Sequence, residues 1–401
     1  MVNPPAALQR RLEYAGPAIF SYGFRPFFLG GAAWAALSVA LWLPQYFSEF
    51  SLPTAVNPID WHIHEMIYGY AAATIAGFLL TAIPNWTGRL PVNGYPLAGL
   101  FALWLAGRVA IAGSAIWGQW IAAAIDVAFL MIFAAIALRE IIAGNNWRNL
   151  RVLVMLGVLI AGNIVFHTEE ILHGSADYGV RIGIAALIGL IMLVGGRVVP
   201  SFTNNWLTRN NPGRLPIAFS RYDAVALGIS ALSFASWIAL PQSAVSGVLL
   251  MIAGVLQAIR HLRWAGDRTF ADPLVLVLHV AYAFVPLGFV LSAAAVLWPS
   301  YWPISAGVHA WTTGAVGLMT LAVMTRASLG HTGQRLVASL PTQFIYLCAL
   351  VAALARVIAA FEPSSALLYA AGSAWFLAFG GFAICFGPLL MGRPPVWSDR
   401  T

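Results

Sequence analysis

Two short stretches concentrate side chains that could do chemistry. WHIHEMIYGY (61–70) sets His62, His64 and Glu65 at the threshold of an apolar run, and HTEEILH (167–173) sets His167, Glu169, Glu170 and His173 at the end of another. Both contain His-x-x-Glu, as His62/Glu65 and His167/Glu170. On a helix that spacing puts the two side chains on one face. Neutral imidazole is the usual protein ligand for haem iron, copper and non-haem iron, and a carboxylate beside it either fixes its tautomer or moves protons. Glu65 and Glu170 are therefore the candidate catalytic carboxylates. Glu169 and His173, four residues apart, offer a further pairing.

A third stretch echoes the first. His64 is followed five residues later by Gly69, and its run closes at Thr87-Gly88. His309 is followed by Gly314 at the same offset, and its run closes at Thr332-Gly333. Small residues let a helix approach a flat group or a neighbour closely. His64 and His309 are thus the candidate axial ligands of one haem, which leaves His62, His167 and His173 for a second metal. Arg108 and Arg356 lie within apolar runs and suit anionic groups such as haem propionates; snorkelling to the interface is the competing role. Asp126, also within a run, is a partner for Arg108 or a proton carrier.

These residues must be positioned by membrane helices. The chain has 401 residues, is 60% hydrophobic and 9% charged, and has a mean hydropathy of +0.81. Soluble domains carry roughly 25% charged residues. Apolar runs long enough to cross a bilayer recur throughout, and the expected spans are 26–46, 64–84, 95–113, 117–142, 150–172, 180–201, 218–238, 243–262, 273–297, 303–327, 338–360 and 364–389. The expectation is an all-α, polytopic helical bundle of about twelve spans, folded as a single transmembrane domain over 1–401, with residues 1–25 as a cytoplasmic N-terminal segment. No cleaved signal peptide is read at the N-terminus. Cys348 and Cys385 both fall in apolar runs, so no disulfide is expected.

Sidedness follows from the arginines, which make up all 21 basic residues. With both termini inside, the cytoplasmic loops and ends take Arg10, Arg11, Arg25, Arg89, Arg139, Arg148, Arg151, Arg197, Arg209, Arg214, Arg221, Arg260, Arg263, Arg268, Arg326, Arg335, Arg393 and Arg400, while the outer loops take only Arg181. Positive loops stay inside, so the expected orientation is N-in, C-in. His62, His64, His167, His173 and His309 then gather toward the outer face, His279 enters from the cytoplasm, and His261 and His331 belong to cytoplasmic loops. The net charge of +7 is scattered over loops. It matches topology rather than a nucleic-acid face. No phosphate-binding loop, dinucleotide fingerprint or nucleophile elbow is present.

SYGFRPFFLG, WHIHEMIYGY through GFLLTAIPNWTG, GRVVPSFTNNWL and HAWTTGAVGLMTLAVMTRASLGHTG together resemble the NnrS family, over about residues 18 to 392. The resemblance implies a multi-pass protein of the bacterial inner membrane that contains haem b and copper. It also implies a place in denitrification and nitric oxide regulons and protection from nitrosative stress, with nitric oxide as the small-molecule ligand. A metalloprotein that acts on nitric oxide at the outer histidine cluster, either reducing it as an oxidoreductase whose electron donor no motif marks or relieving its damage, is the leading expectation. A proton-coupled transporter, or a haem sensor or copper-handling factor without turnover, is the alternative. The partners expected are nitric oxide, the lipid bilayer and an electron donor, with no nucleic acid.

Overall fold

The computed structural model describes Tyr14 and residues 16–392, so Arg10, Arg11, Arg393, Arg400 and most of the expected N-terminal segment lie outside the described residues. Among the described residues every regular element is helical, and twelve helices are long and apolar enough to cross a membrane. They are Phe24–Tyr46 (α1), Pro58–Thr87 (α2), Gly94–Ala112 (α3), Gln119–Ala143 (α4), Trp147–His173 (α5), Tyr178–Asn210 (α6), Arg221–Ala239 (α7), Ala244–Arg268 (α8), Pro273–Leu297 (α9), Ile304–His331 (α10), Leu340–Phe361 (α11) and Ser365–Met391 (α12). Each expected span has its helix, and both cysteines are free thiols. The protein is an all-α, multi-pass membrane protein.

Local chemistry explains where the helices start and stop. Asn57 caps α2 by accepting from the backbone N–H of Ile59 and Asp60, with Pro58 at the first helical position. This cap starts α2 six residues before the expected boundary, so His62 and His64 lie inside the helix rather than on its lip. Ser220 and Asp223 form a capping box on α7, and Asp272 before Pro273 caps α9. The two Thr-Gly closures end in left-handed glycines, Gly88 at φ +70° and Gly333 at φ +74°, a conformation that favours glycine at a helix C-terminus. His261 and His331, expected in loops, sit instead in helices, near the end of α8 and at the end of α10.

Three helices, α2, α6 and α10, are the longest, at 30, 33 and 28 residues. Each contains a π-helical segment, at Glu65–Ala71, Ile191–Gly195 and Ala310–Gly317. Such segments are rare and recur at functional sites. The first begins directly after His64 and the third directly after His309, which extends the sequence echo between those stretches into the backbone.

The described chain packs as two compact units. The first takes in the described residues up to Gly179, with Met324–Leu336 and the described residues from Phe382; the second takes in Val180–Val323 and Val337–Gly381. In the first, α1 and α4 pack on α2, α3 packs on α4, and α4 packs on α5. Arg25 is buried there and donates from Nη1 to the carbonyls of Leu390 (2.8 Å) and Gly392 (2.7 Å), closing the C-terminal end of α12. In the second, α8 packs on α7 and α9, and the π segment of α10 packs on α9 and α11. Arg260 is likewise buried, against Asp223 at 3.1 Å. Two of the arginines assigned to loops thus hold helix ends together.

Sidedness has a direct measurement. Reporter fusions at Val92, Asn146, Pro212, Gly266 and Gln334 should report the cytoplasm, and fusions at Ala55, Ala176 and Ser300 the periplasm. One reproducible inversion inside that series would overturn the N-in, C-in orientation.

Candidate metal centre

Four helices of the first unit each aim polar side chains at one buried point. α2 supplies His64 and Glu65, α3 supplies Arg108, α4 supplies Asp126, and α5 supplies Asn163 and His167 one turn apart on the same face. All six are buried, the most exposed being His167 at 6%. Glu65 Oε1 accepts from His64 Nδ1 at 3.0 Å, and Glu65 Oε2 accepts from Trp34 Nε1 at 2.6 Å and Arg108 Nη1 at 2.5 Å. Arg108 Nη2 donates to Asp126 Oδ1, the partner the sequence suggested for Asp126. Asp126 Oδ2 accepts from Asn163 Nδ2 at 2.9 Å.

The remaining contacts form a triangle. His64 Nε2 and His167 Nε2 lie 3.2 Å apart, and each is 3.1 Å from Asp126 Oδ2. Among the described residues this is the one group of three such side chains whose donor atoms converge closely enough for a single metal ion. Metal–nitrogen bonds of about 2.0–2.1 Å put the edge of a tetrahedral site at about 3.3 Å, close to the edges seen. Because the Glu65 carboxylate accepts the Nδ1 proton of His64, neutral His64 turns a lone pair toward the triangle's centre. That lone pair faces Asp126 Oδ2 and His167 Nε2, so the three atoms converge as the ligand atoms of one cation would.

The surroundings agree with the geometry. Two buried carboxylates, Glu65 and Asp126, share one guanidinium, Arg108. Buried charge is costly unless compensated. A cation at the triangle, whether a metal ion or a proton on an imidazole, is compensated there.

The π segment shapes the floor of the site. Gly69 lies within it, and a Cβ at that position would stand 2.5 Å from Arg108 Nη1 and 2.7 Å from Glu65 Oε2. The missing side chain lets the ion pair lie against the helix backbone. The Gly69 carbonyl accepts from Trp104 Nε1 at 3.0 Å.

The family model described as NnrS protein matches residues 18–393. The chain belongs to the NnrS family. Membership points to a role in the nitric oxide response, and the family is associated with haem and copper. No curated protein matches the chain.

In this NnrS chain the other expected site residues are distributed as follows. His62 is stacked on Trp42, with ring centroids 4.0 Å apart and planes 19° apart. His173 is exposed at the end of α5, before Gly174. Glu169 accepts from the backbone N–H of Asp177, Tyr178 and Gly179, so it caps the start of α6. Glu170 is 5% exposed and accepts from Gln119 Nε2 at 3.1 Å. His309 belongs to the second unit and donates from Nδ1 to the Ser305 carbonyl at 2.7 Å, which leaves the lone pair on Nε2. Arg356 is half-buried on α11, which packs on the start of α10. The structure thus brings His64 together with His167, whereas the sequence had set them at different metals, and it joins Asp126 to both. Asn163 and Trp34 were not singled out in the sequence. The signal for Asp126 was present: an acid deep in an apolar span is functional by default and needs a named partner.

Proposed function

We propose that this protein is a haem- and copper-containing metalloprotein of the bacterial inner membrane that acts on nitric oxide and protects the cell from nitrosative stress. The observation that carries this reading is the buried triangle of His64, Asp126 and His167 in a chain of the NnrS family. We assign the copper to that triangle. Two imidazoles and a carboxylate are a donor set that copper accepts. Copper held there would supply a redox-active centre with affinity for small nitrogen oxides.

The chain's own residues have separable tasks. Glu65 holds the His64 ring by its Nδ1 proton, as a ligand's carboxylate neighbour does. Arg108 bridges both carboxylates and holds them in place. Glu170 shares the α5 face of His167 and, with Gln119, is positioned to hold a proton between the end of α5 and the triangle. Nitric oxide is small, neutral and lipid-soluble, so it reaches a site among membrane helices without a polar channel. For haem, His309 is the assigned ligand, because its Nδ1–H is anchored on Ser305 and its Nε2 is left for the iron. Arg356 is assigned to the propionates. We move His64 from haem to copper because its Nε2 points at His167 and Asp126.

Purified protein should show a Soret band and about one copper per chain at the triangle. Membranes containing it should consume nitric oxide when given a reductant, and cells expressing it should resist a nitric oxide donor. Colourless, copper-free protein that still protects cells would sink the metalloprotein reading and favour a proton-coupled transporter. Haem and copper present without nitric oxide consumption would assign a sensor or copper-handling role.

A further inference from the structure

The second unit contains another histidine pair, which the proposed activity does not use. His261 lies near the end of α8, and His279 lies two turns into α9, the helix packed against it. His261 Nε2 and His279 Nδ1 are 3.2 Å apart, and the rings are near-parallel at 21°. The other nitrogen of His279 faces Thr203 Oγ1 of α6 at 2.8 Å. The Thr203 hydroxyl donates its own proton to the Val199 carbonyl at 2.8 Å. Thr203 therefore accepts from His279, which fixes the proton on Nε2 and leaves the lone pair on Nδ1. Anchoring one ring nitrogen by a hydrogen bond so that the other is free and aimed is how proteins prepare a histidine to bind metal.

The surroundings fit the same purpose. A Cβ at Gly266 would stand 2.5 Å from His279 Nδ1, so glycine there leaves room for the ring. Trp264 meets His261 edge-on at 5.7 Å. Arg260, the nearest buried cation in sequence, is engaged by Asp223, the Met192 carbonyl and Tyr282. His279 is 4% exposed, but His261 is half-buried, so one member of the pair reaches the protein surface.

We propose that His261 Nε2 and His279 Nδ1 form a second transition-metal site, with Thr203 as the positioning residue for His279. The nitrogen separation matches the edge of a site with bonds of about 2.0 Å. Only two protein ligands converge, so water completes the coordination and the metal exchanges. Imidazole donors select first-row ions such as Cu(II) and Zn(II), with copper bound more tightly. The assignment is independent of the His64–Asp126–His167 triangle.

The test is titration of detergent-solubilised, full-length protein with Cu(II) and, separately, Zn(II), read by metal content after desalting and by competition with a colorimetric chelator. Wild-type protein should take up about one ion beyond the copper that depends on His167, and should hold Cu(II) more tightly than Zn(II). His261→Gln, which alters a half-buried side chain, should remove that additional ion while leaving the Soret band and the His167-dependent copper intact. Thr203→Val keeps the shape, removes the hydroxyl, and should weaken the additional site by about 10–100-fold. Uptake unchanged in His261→Gln, or wild-type protein with no ion beyond the His167-dependent one, would overturn the proposal and leave an ordinary hydrogen-bonded histidine pair. Absence of any copper that depends on His167, with the His261-dependent ion retained, would instead count against the triangle and leave this second site standing.

Discussion

His167→Ala protein should be purified without copper at the triangle and with its haem retained. The imidazole supplies one of three converging donors, and its loss leaves His64 Nε2 and Asp126 Oδ2, 3.1 Å apart, as a two-ligand remnant. Asp126→Asn should lose copper as well, because an amide brings no negative charge to the cation. Glu65→Gln acts at one remove, by loosening the His64 ring, and should weaken copper by about 10–100-fold rather than abolish it. His309→Ala should give the reciprocal result: haem lost, copper kept. The measurements are metal content and the Soret band of each purified variant, with nitric oxide protection in cells beside them. Full copper in His167→Ala and Asp126→Asn would remove the metal from this cluster. Haem unchanged in His309→Ala would remove it from α10.

Arg108→Ala should be the most destabilising substitution in the first unit. The guanidinium is 2% exposed and bridges Glu65 and Asp126, which are themselves 0% and 1% exposed. Removing it strands two buried carboxylates, and breaking a buried pair in this way costs about 3–5 kcal/mol. The variant should accumulate poorly in membranes and lose its monodisperse elution at lower temperature. Adding Asp126→Asn to Arg108→Ala removes one stranded charge and should recover part of the loss, because residues in one ion-pair network do not act additively. An Arg108→Ala protein as heat-resistant as the parent would mean that the guanidinium is not the counter-charge of this cluster.

Much of this architecture was legible in the sequence because the bilayer imposes it. With no water in the hydrocarbon core, each crossing segment must satisfy its own backbone, so a run of about twenty apolar residues becomes a helix. Twelve runs gave twelve helices. The ends were less legible, since hydropathy does not register a cap such as Asn57-Pro58, and so His62 and His64 were set at a lip when they are a turn inside. Within the site, His64, Glu65, Arg108 and His167 could be found by type and spacing. Their grouping could not, because it depends on which faces of α2, α4 and α5 meet. Period and composition set a residue's height along a helix with fair accuracy and leave its azimuth open. His62 and His64 show the cost: two positions apart, they point to opposite sides, one onto Trp42 and the other into the triangle. Glu169 and Glu170 divide in the same way, one capping α6 and one facing Gln119.

The π segments after His64 and His309 determine how such a helix can change over time. A π turn accommodates one residue more than the α turn it replaces, so side chains before it are rotated by about 100° relative to those after it. In α2, the face that carries His64 is therefore uncoupled from the face that packs Gly77 and Thr81 against α1. A one-residue insertion in an ordinary packing helix would be enough to swing a histidine from lipid into the bundle while the rest of the helix kept its seat. Deleting one residue from 65–71 would reverse it. Side-chain direction and helix packing in α2 and α10 are then separable, so one residue added or removed there re-aims His64 or His309 while the packed face keeps its place.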